Sequence, residues 1–201
     1  LQIGSPSTSR YNQHPGDHGH QGYKVTKIVT VSHQEGYDQN MVSITIRALQ
    51  PEEHDVLIRA AVDNFNWDVE RFTSHDVLAS PEMVRYTEFI PRRGDFGFIA
   101  LDKDTPVGLA WVLFLPHGRR SWGFAESEIP EVSLWVETTF RGRGVGGALL
   151  RATQRMARRR DLPGLSLAVD PDNPVRELYR KEGFEDVVDT ADDGVMVWRQ
   201  R

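Results

Sequence analysis

Apolar and polar positions alternate in several short runs of this chain, and the alternation has a period of two. Such a period is typical of strands whose two faces meet different environments. In chain order, the runs predict strands at residues 43–47, 96–102, 107–114, 131–136, 164–170 and 195–198. The polar tetrapeptide KDTP separates the second run from the third, so these two strands are predicted to form a hairpin.

Helices are predicted where apolar residues recur every three to four positions between start and stop signals. The first begins at Pro51 and has Glu52 and Glu53 in its first turn, where the helix dipole favours acidic side chains. The predicted helices span residues 51–63, 80–90, 144–160 and 173–181, with a loop or short helix over residues 64–80. Antiparallel strands lead and a βαβα unit follows, so the pattern predicts an α+β domain with a mixed sheet.

The N-terminal part has a different composition. Residues 1–22 are rich in Ser, Gly, Pro, His, Asn and Gln and show no apolar period, so they are not expected to build a core. Alternating β-branched residues at 23–31 predict an additional strand, and Met41 begins the first run typical of a folded domain. We therefore predict a flexible arm over residues 1–40 and a single domain over residues 41–201.

Composition narrows the class of protein. Of the 201 residues 39% are hydrophobic and 26% charged, as in soluble globular proteins, and the absence of cysteine excludes disulfides and a thiol nucleophile. The net charge of −5 argues against nucleic-acid binding. No apolar run approaches the ~18 residues of a membrane span. With no secretory signal recognised at the N-terminus, we expect a cytoplasmic protein.

Two groups of residues are assigned no ligand. His14, Asp17, His18 and His20 are more typical of an unstructured segment than of a metal site, so no metal is expected. The arginines that end the main predicted helix suit its negative dipole end better than an RNA surface. These arginines are Arg155, Arg158, Arg159 and Arg160.

The segment RGRGVGG at residues 141–147 lies between a predicted strand and a predicted helix. Glycines allow backbone amides to approach an anion closely, and Arg141 and Arg143 add positive charge, so the segment predicts a phosphate-binding loop. The nucleotide-triphosphate loop requires a Gly-Lys-Ser/Thr ending, which is absent.

One interpretation of this loop is a dinucleotide site. Gly142, Gly144 and Gly147 fit the G-x-G-x-x-G fingerprint, and Asp170 stands near the position of a ribose-binding acid. Only about thirty residues follow Asp170, which is too few for the remainder of a doubly wound sheet. A nicotinamide-dependent oxidoreductase is therefore the weaker alternative.

The second interpretation uses Arg141, Gly144 and Gly146, which satisfy the pattern Arg-x-x-Gly-x-Gly. The stretches PEVSLWVETTFRGRGVGGALL and DNPVRELYRKEGF resemble the GNAT superfamily of N-acetyltransferases. They are similar in particular to its bacterial branch with a PELS-like strand, an RGRGxG loop and a DNPxxxLYxxxGF segment. The resemblance covers residues 130–184 by motif and residues 43–114 by element order. It implies a GNAT-like mixed, mostly antiparallel central sheet flanked by helices, with strands splayed at an acyl-CoA site.

The resemblance implies acetyl-CoA, or a close acyl-CoA, as co-substrate. Its pantetheine arm would bind the backbone of the strand before the loop, and its pyrophosphate the amides at the start of the next helix. The implied strand residues are Leu134, Trp135 and Val136. The implied loop residues are Arg141, Gly142, Arg143, Gly144, Val145 and Gly146. Downstream, Asn173 is implied to contact the arm and is also a helix N-cap candidate by residue type.

Two catalytic roles are implied. Tyr179 would stand near the sulfur, where a phenol with a pKa of about 10 is protonated and can donate to a thiolate; packing in the core is its structural alternative. Glu131 is the first candidate for the general base, directly or through a water molecule, and shares a strand face with Ser133 and Trp135. A solvated strand-end glutamate is its structural alternative. Reserve candidates for the base are Glu126, Glu128, Asp63 and Glu88.

The acceptor is less defined. Ribosomal-protein acetyltransferases of the superfamily carry a glutamate base at the position of Ala168, so that specificity does not transfer. Acids and aromatics in residues 54–90 and 115–130 suit a cationic amine. These side chains are Asp63, Phe65, Trp67, Asp68, Glu70, Tyr86, Glu88, Trp122 and Phe124.

The resulting prediction is an N-acetyltransferase that moves an acetyl group to a primary amine of a small molecule or peptide in a ternary complex. A non-catalytic acyl-CoA sensor on the same fold is the alternative from another class. A homodimer is an expectation by analogy with the superfamily alone.

Overall fold

The computed structural model describes residues 27–30, 43–116, 121–188 and 194–201, and within them eight strands form one sheet. The strands are β1 (Lys27–Thr30), β2 (Ser43–Ala48), β3 (Phe96–Asp102), β4 (Thr105–Leu113), β5 (Glu131–Val136), β6 (Gly164–Ala168), β7 (Glu185–Asp186) and β8 (Val195–Arg199). Their spatial order is β1-β2-β3-β4-β5-β6-β8-β7. Among these eight described strands, only the neighbours β5 and β6 are parallel. The predicted α+β class with a mixed, mostly antiparallel sheet is confirmed.

Four α-helices accompany the sheet in the described residues. They are α1 (His54–Phe65), α2 (Ser74–Ala79), α3 (Val145–Arg159) and α4 (Arg176–Lys181). Short 3-10 segments lie at Pro51–Glu53, Val84–Thr87, Pro91–Arg93 and Thr138–Phe140. None of these helices is long and apolar enough to cross a membrane.

The two long helices cover opposite faces of the sheet. Helix α3 buries Leu149 and Leu150 completely against one face, and Leu57 of α1 is buried with Trp111 and Trp135 on the other. Strand β5 contributes to both cores because successive side chains point to opposite faces. Its even-numbered residues pack on the α3 side and its odd-numbered residues face α1.

The helix predicted over residues 80–90 is wrong. The segment forms a turn, the short Val84–Thr87 turn of 3-10 helix, and then an extended stretch that ends at Ile90. Pro91 disfavours helical geometry at the residue before it. The extended stretch also lets the buried Asp95 carboxylate accept hydrogen bonds from the backbone amides of Ile90 at 2.8 Å and Phe114 at 2.9 Å.

Several boundaries differ by a few residues from those predicted. Helix α4 begins at Arg176 rather than at residue 173, because residues 170–175 form tight turns closed by the Asn173 amide on the Asp170 carbonyl. Strand β6 ends at Ala168, two residues early. Strand β1 lies within the predicted run at 23–31 and extends the sheet beside β2. The rest of the predicted arm lies outside the described residues, and its boundary stays a prediction.

Strands β5 and β6 diverge almost as soon as they meet. They share one register pair, Glu131 with Ser166, supported by a hydrogen bond from the Ser166 amide to the Pro130 carbonyl at 3.0 Å. On its other side β5 pairs with β4 over its whole length. The sheet therefore opens into a wedge-shaped gap beyond Glu131, and the candidate site is built around it.

Candidate active site

Along β5, the backbone N–H and C=O groups of every second residue point into the gap. The Glu137 amide bonds to the Val107 carbonyl of β4, whereas the Pro130 carbonyl bonds to β6, so odd residues point to β4 and even residues point to the gap. The amides of Leu134 and Val136 thus face the gap. Trp135 does not contribute its backbone there, because its amide and carbonyl, like those of the other odd residues, point to β4. The contact of Leu134, Trp135 and Val136 with a pantetheine arm stays a prediction; the structure shows that the backbone groups of Leu134 and Val136 face the gap.

At the wide end of the gap, the loop after β5 carries a run of unaccepted amides. Within the described residues, the backbone N–H groups of residues 142–147 have no acceptor, and Ala148 is the first to bond back, to the Gly144 carbonyl. Gly142 and Gly144 have φ values of 72° and 80°, which bulkier residues rarely adopt. Together with the positive end of α3, these six amides have the chemistry of a cradle for an anion, and the predicted phosphate site stays a prediction.

The loop arginines are exposed and differ in their contacts. Arg141 donates from Nε to the Val136 carbonyl at 3.0 Å, and its own amide donates to the Thr138 carbonyl. Its amide is therefore engaged, in contrast to the prediction that it lines the cradle. The Arg143 guanidinium lies 5.4 Å from the centre of the Phe140 ring. Both side chains place positive charge beside the six amides.

Gly146 and Val145 connect the loop to the core. Val145 is buried among the α3-side residues, and a Cβ at Gly146 would approach the Leu178 side chain to 3.0 Å and that of Leu134 to 3.4 Å. A larger residue at position 146 would push α3 away from both β5 and α4. The glycine therefore holds the start of α3 close to the gap.

Asn173 and Tyr179 lie on the β6 side. The Asn173 carboxamide oxygen accepts the Val175 amide at 3.0 Å, so the side chain caps the turn that leads into α4 rather than α4 itself. Its amide nitrogen has no partner in the described residues. Tyr179 is buried in the α3-side core, edge-on to Phe184 with ring centres 5.7 Å apart.

The Tyr179 hydroxyl has no hydrogen-bond partner among the described residues, and burial raises the pKa of Tyr179 above its ordinary value. A buried phenol with a raised pKa stays protonated and remains a hydrogen-bond donor. No hydrogen bond joins Tyr179 to Glu131, since the two side chains occupy opposite faces of the sheet at the gap.

Glu131 is a buried carboxyl group, not a solvated strand end. Its side chain is 6% exposed and points to the α1 side, where the Tyr86 hydroxyl donates to Oε2 at 3.1 Å. Burial raises the pKa of Glu131 to about 7, although the Tyr86 hydroxyl, the nearby Gly123 amide and the charge of Arg85 act in the opposite direction. A carboxyl group with such a pKa can accept and release a proton near neutral pH.

An aromatic cluster stands over this carboxyl group. The Tyr86 ring stacks on Trp122 with centres 5.4 Å apart, and Phe65 meets both rings edge-on. The Trp122 amide donates to the Tyr86 hydroxyl at 3.1 Å, which orients that hydroxyl toward Glu131. Burial and the Glu131 charge raise the pKa of Tyr86. Trp122 itself is 47% exposed, so one side of the cluster is open to solvent.

Two buried polar atoms at the narrow end of the gap lack hydrogen-bond partners among the described residues: Oε1 of Glu131 and Oγ of Ser166. The two residues face each other in register across β5 and β6, and Ser166 is fully buried. Leaving a buried polar atom unsatisfied costs about 1–3 kcal/mol. Sequence reasoning missed Ser166, because a serine in the apolar run GLSLAV carries no motif.

The reserve candidates for the base are engaged elsewhere or exposed. Asp63 accepts the Trp135 indole N–H at 2.7 Å, Glu126 pairs with Arg199 at 2.6 Å, and Glu128 accepts from Ser127 at 3.4 Å. Glu88 is exposed, and so is Ala168, which has no ionisable group. Unlike these four reserve carboxylates, Glu131 combines burial with an oxygen that has no partner in the described residues.

The geometry suits a ligand with an extended arm and an anionic end. The arm can pair with the free backbone groups of β5, the anion can bind the cradle, and the reacting end can lie near Glu131. The fold does not suit a dinucleotide in the same loop, because the described strands before β5 are antiparallel and form no doubly wound sheet. No group of metal-ligating side chains occurs in the described residues, and the histidines at 14–20 lie outside them.

Splayed strands, a glycine-rich cradle at a helix start and a buried carboxyl group define the class of the acyl-CoA-dependent acetyltransferases. A profile of the acetyltransferase (GNAT) family matches residues 61–184, which is more than half of the chain. The chain belongs to this family. No curated protein sequence matches it.

Solved structures share the fold at low sequence identity. The GNAT domain of PAT from S. lividans has a TM-score of 0.60 at 17% identity, covering 86% of this chain and 94% of that domain. The PaiA N-acetyltransferase from Thermoplasma acidophilum, solved with coenzyme A, has a TM-score of 0.55 at 19% identity, covering 79% and 99%. A GNAT family acetyltransferase from Brucella melitensis, solved with acetyl-CoA, has a TM-score of 0.50 at 17% identity, covering 80% and 90%.

Proposed function

We propose that this protein transfers an acetyl group from acetyl-CoA to a primary amine by direct attack in a ternary complex. The observation that carries the proposal is the position of Glu131, a buried carboxyl group with one unpartnered oxygen at the narrow end of the β5–β6 gap. The structures of the two relatives solved with coenzyme A and with acetyl-CoA support acetyl-CoA as the donor.

The protein would hold the co-substrate from three sides. The amides of residues 142–147 and the side chains of Arg141 and Arg143 would bind the pyrophosphate. The gap-facing backbone of Leu134 and the amide of Val136, whose carbonyl is held by Arg141, would pair with the pantetheine arm as an added strand. The free amide nitrogen of Asn173 would reach the same arm from the β6 side.

Glu131 would serve as the general base. An amine must lose a proton as its nitrogen attacks, and a carboxylate with a pKa of about 7 accepts that proton near neutral pH. The hydrogen bond from Tyr86 holds one carboxylate oxygen in place and leaves the other for the proton. The role of Glu131 thus depends on a residue 45 positions earlier in the chain.

Tyr179 would assist the departing sulfur. Because burial raises its pKa, donation of a hydrogen bond as negative charge develops on sulfur is easier than complete transfer of the phenolic proton to a thiolate with a pKa of about 8.5. The general-acid role is therefore proposed in this form: the hydroxyl donates to the sulfur, and the proton can follow as the product leaves.

The acceptor would be a small amine with an apolar, aromatic or cationic body. Phe65, Tyr86 and Trp122 supply aromatic surface beside Glu131, and the exposed side of Trp122 can stack on or attract such a group. Asp63 and Asp68, which had been expected to attract a cation, are engaged with Trp135 and Arg71. Attraction of a cationic acceptor would therefore come more from the aromatic rings than from these two acids.

A panel of primary amines, with thiol release as readout, tests the proposal. We expect at least one amine to raise release from acetyl-CoA above hydrolysis, and Glu131→Gln to lower kcat/KM by about 10²–10³-fold. Glu126→Gln, which changes an exposed carboxylate paired with Arg199, is the matched control and should keep full activity.

Two other outcomes would replace the proposal. Binding of acetyl-CoA without turnover across the whole panel would indicate a non-catalytic sensor. Thermal stabilisation by NAD(P) in place of acetyl-CoA would restore the dinucleotide alternative.

A further inference from the structure

We propose that Ser166 positions a water molecule that carries the proton from the acceptor amine to Glu131. This inference rests on the proposed function, which uses Glu131 as the base, and adds a second residue to the proton path. Neither the loop motif nor the downstream motif includes Ser166.

The first argument is the pair of unsatisfied atoms. Oε1 of Glu131 and Oγ of Ser166 are both buried, and neither has a hydrogen-bond partner among the described residues. They belong to the one register pair of β5 and β6, and both side chains point to the α1 side. Buried polar atoms without protein partners are commonly satisfied by ordered water, which needs two to four polar neighbours.

The second argument is that neighbouring residues pack tightly around the Glu131 carboxyl group. Gly123 lies against the strand β6 backbone so tightly that a Cβ there would come within 2.8 Å of the Ala168 nitrogen and 3.0 Å of the Glu131 carboxyl carbon. Tyr86 occupies the other carboxylate oxygen. This packing leaves little space beside Oε1, so a water molecule is the species that we place there, and the body of an amine stays outside, toward the gap.

The third argument is the orientation that Ser166 imposes. A water molecule has two protons to donate and two lone pairs. With one proton directed to Oε1 and the other to the serine oxygen, a lone pair remains for the amine N–H. Without Ser166, the second proton has no fixed acceptor, and the lone pair loses its direction.

The proton balance is simple. As the amine nitrogen forms its bond to the acetyl carbon, its N–H proton passes to the water oxygen and a water proton passes to Oε1. The carbon–sulfur bond breaks and its electron pair leaves with sulfur. Water is regenerated, and Glu131 ends as the neutral acid.

Charged and titratable groups around Glu131 are few in the described residues. Tyr86 donates to it, Arg85 adds positive charge, and the loop of residues 121–130 contributes the Gly123 amide. The water would donate to the ionised carboxylate and favour it. Loss of the serine hydroxyl should therefore weaken this donation and move the pKa of Glu131 upward.

The direct test is a crystal structure of the full chain at a resolution that shows ordered water. We expect a water molecule within hydrogen-bond distance of both Glu131 Oε1 and Ser166 Oγ, and its loss in Ser166→Ala. No ordered water there in the wild type, or an undisturbed one in the variant, would overturn the proposal.

The second test follows the pKa of Glu131 without turnover, from the pH dependence of unfolding relative to Glu131→Gln. Ser166→Ala should raise this pKa by about one unit, and Ser166→Thr, which keeps a hydroxyl, should restore it. Thr153→Ala is the matched control, because the Thr153 hydroxyl is equally buried but donates to the Leu150 carbonyl at 2.7 Å. It should lower stability and leave the pKa of Glu131 unchanged.

Kinetics with an amine from the panel complete the design. Ser166→Ala should lower kcat about tenfold, leave the KM for the amine unchanged and not lower the melting temperature. A rise in the KM for the amine alone, or a fall in kcat with an unchanged pKa of Glu131, would assign Ser166 a different role and reject the water. If the wild type acetylates no amine, the proposed function fails, whereas the crystal structure and the pKa still decide on the water.

Discussion

Glu131 is the residue on which the proposed chemistry and the pH dependence of stability both depend. Its carboxyl group has an ordinary pKa of 4.5 and a pKa of about 7 in the folded protein. A raised folded pKa means that the native state binds the proton more tightly than the unfolded chain. The stabilising contribution is therefore complete below about pH 4.5 and is lost as the pH rises through about 7.

Glu131→Gln should remove this pH dependence. The free energy of unfolding of the variant, relative to the wild type, should rise by about 3 kcal/mol between about pH 4 and pH 8, since each pKa unit corresponds to about 1.4 kcal/mol. Denaturant unfolding of both proteins over this range measures the difference. A constant difference at all pH values would show that the carboxyl group is not perturbed.

Tyr179→Phe removes a hydroxyl that has no partner among the described residues. We expect kcat to fall about 10²-fold, with the KM for acetyl-CoA and the melting temperature nearly unchanged. Tyr86→Phe is the informative comparison, because it leaves the Trp122 amide and Glu131 Oε2 without their partner and should lower stability as well. Unchanged turnover in Tyr179→Phe would mean that Tyr179 is only a core residue.

At the residue scale, the sequence predicted the position of Glu131 but not its environment. Its face of the strand follows from the period of two, and the structure has it there, with Trp135. The bond from Tyr86 spans 45 residues and depends on a segment that was wrongly predicted as helix. Such a contact is set by tertiary packing, which local periodicity does not encode.

At the scale of elements, β5 performs two tasks on its two edges. One edge pairs with β4, and the other leaves the amides of Leu134 and Val136 facing the gap. Strand and loop motifs predicted this element with its exact bounds. Backbone groups alternate in direction along β5, so those of Trp135 point away from the gap. This direction could not be predicted without knowing which strands lie beside β5.

Amide hydrogen exchange measured by NMR tests this arrangement. Without ligand, the amides of Leu134 and Val136 should exchange faster than those of Ser133 and Trp135, which point to β4. Addition of acetyl-CoA should slow the first pair and leave the second pair unchanged. Equal protection of all four residues by the ligand would contradict the pairing of the pantetheine arm with this edge.

At the scale of the whole molecule, the residues that the structure describes form two apolar cores, one on each face of the sheet. The order of strands and of the two long helices was predictable because each has a clear period and recognisable start signals. The splay of β5 from β6 was expected only through family resemblance, since the sequences of both strands are apolar enough to pair further. In the structure, Gly123 packs against the β6 backbone at Leu167 and Ala168, and Gly146 packs against the side chain of Leu134 on β5.

Acetyl-CoA should stabilise the whole molecule by mass action. At about 100 times the dissociation constant, the gain is about 2.7 kcal/mol, which corresponds to a rise in melting temperature of about 5–10 °C for a chain of this size. A thermal-shift titration measures it, with NADPH as the negative control. No shift with acetyl-CoA at any concentration would contradict its assignment as the donor.

The unaccepted amides of residues 142–147 and the open edge of β5 place a limit on engineering for heat resistance. A variant screen that rewards only a higher melting temperature would favour changes that let β6 continue along β5 or fill the cradle with a side-chain acceptor. Such variants would gain native hydrogen bonds and lose the proposed site for acetyl-CoA in the same step. Improvement that preserves activity should therefore be sought away from the gap and from the aromatic cluster beside Glu131, for example along strands β2 and β3, with co-substrate affinity selected in parallel.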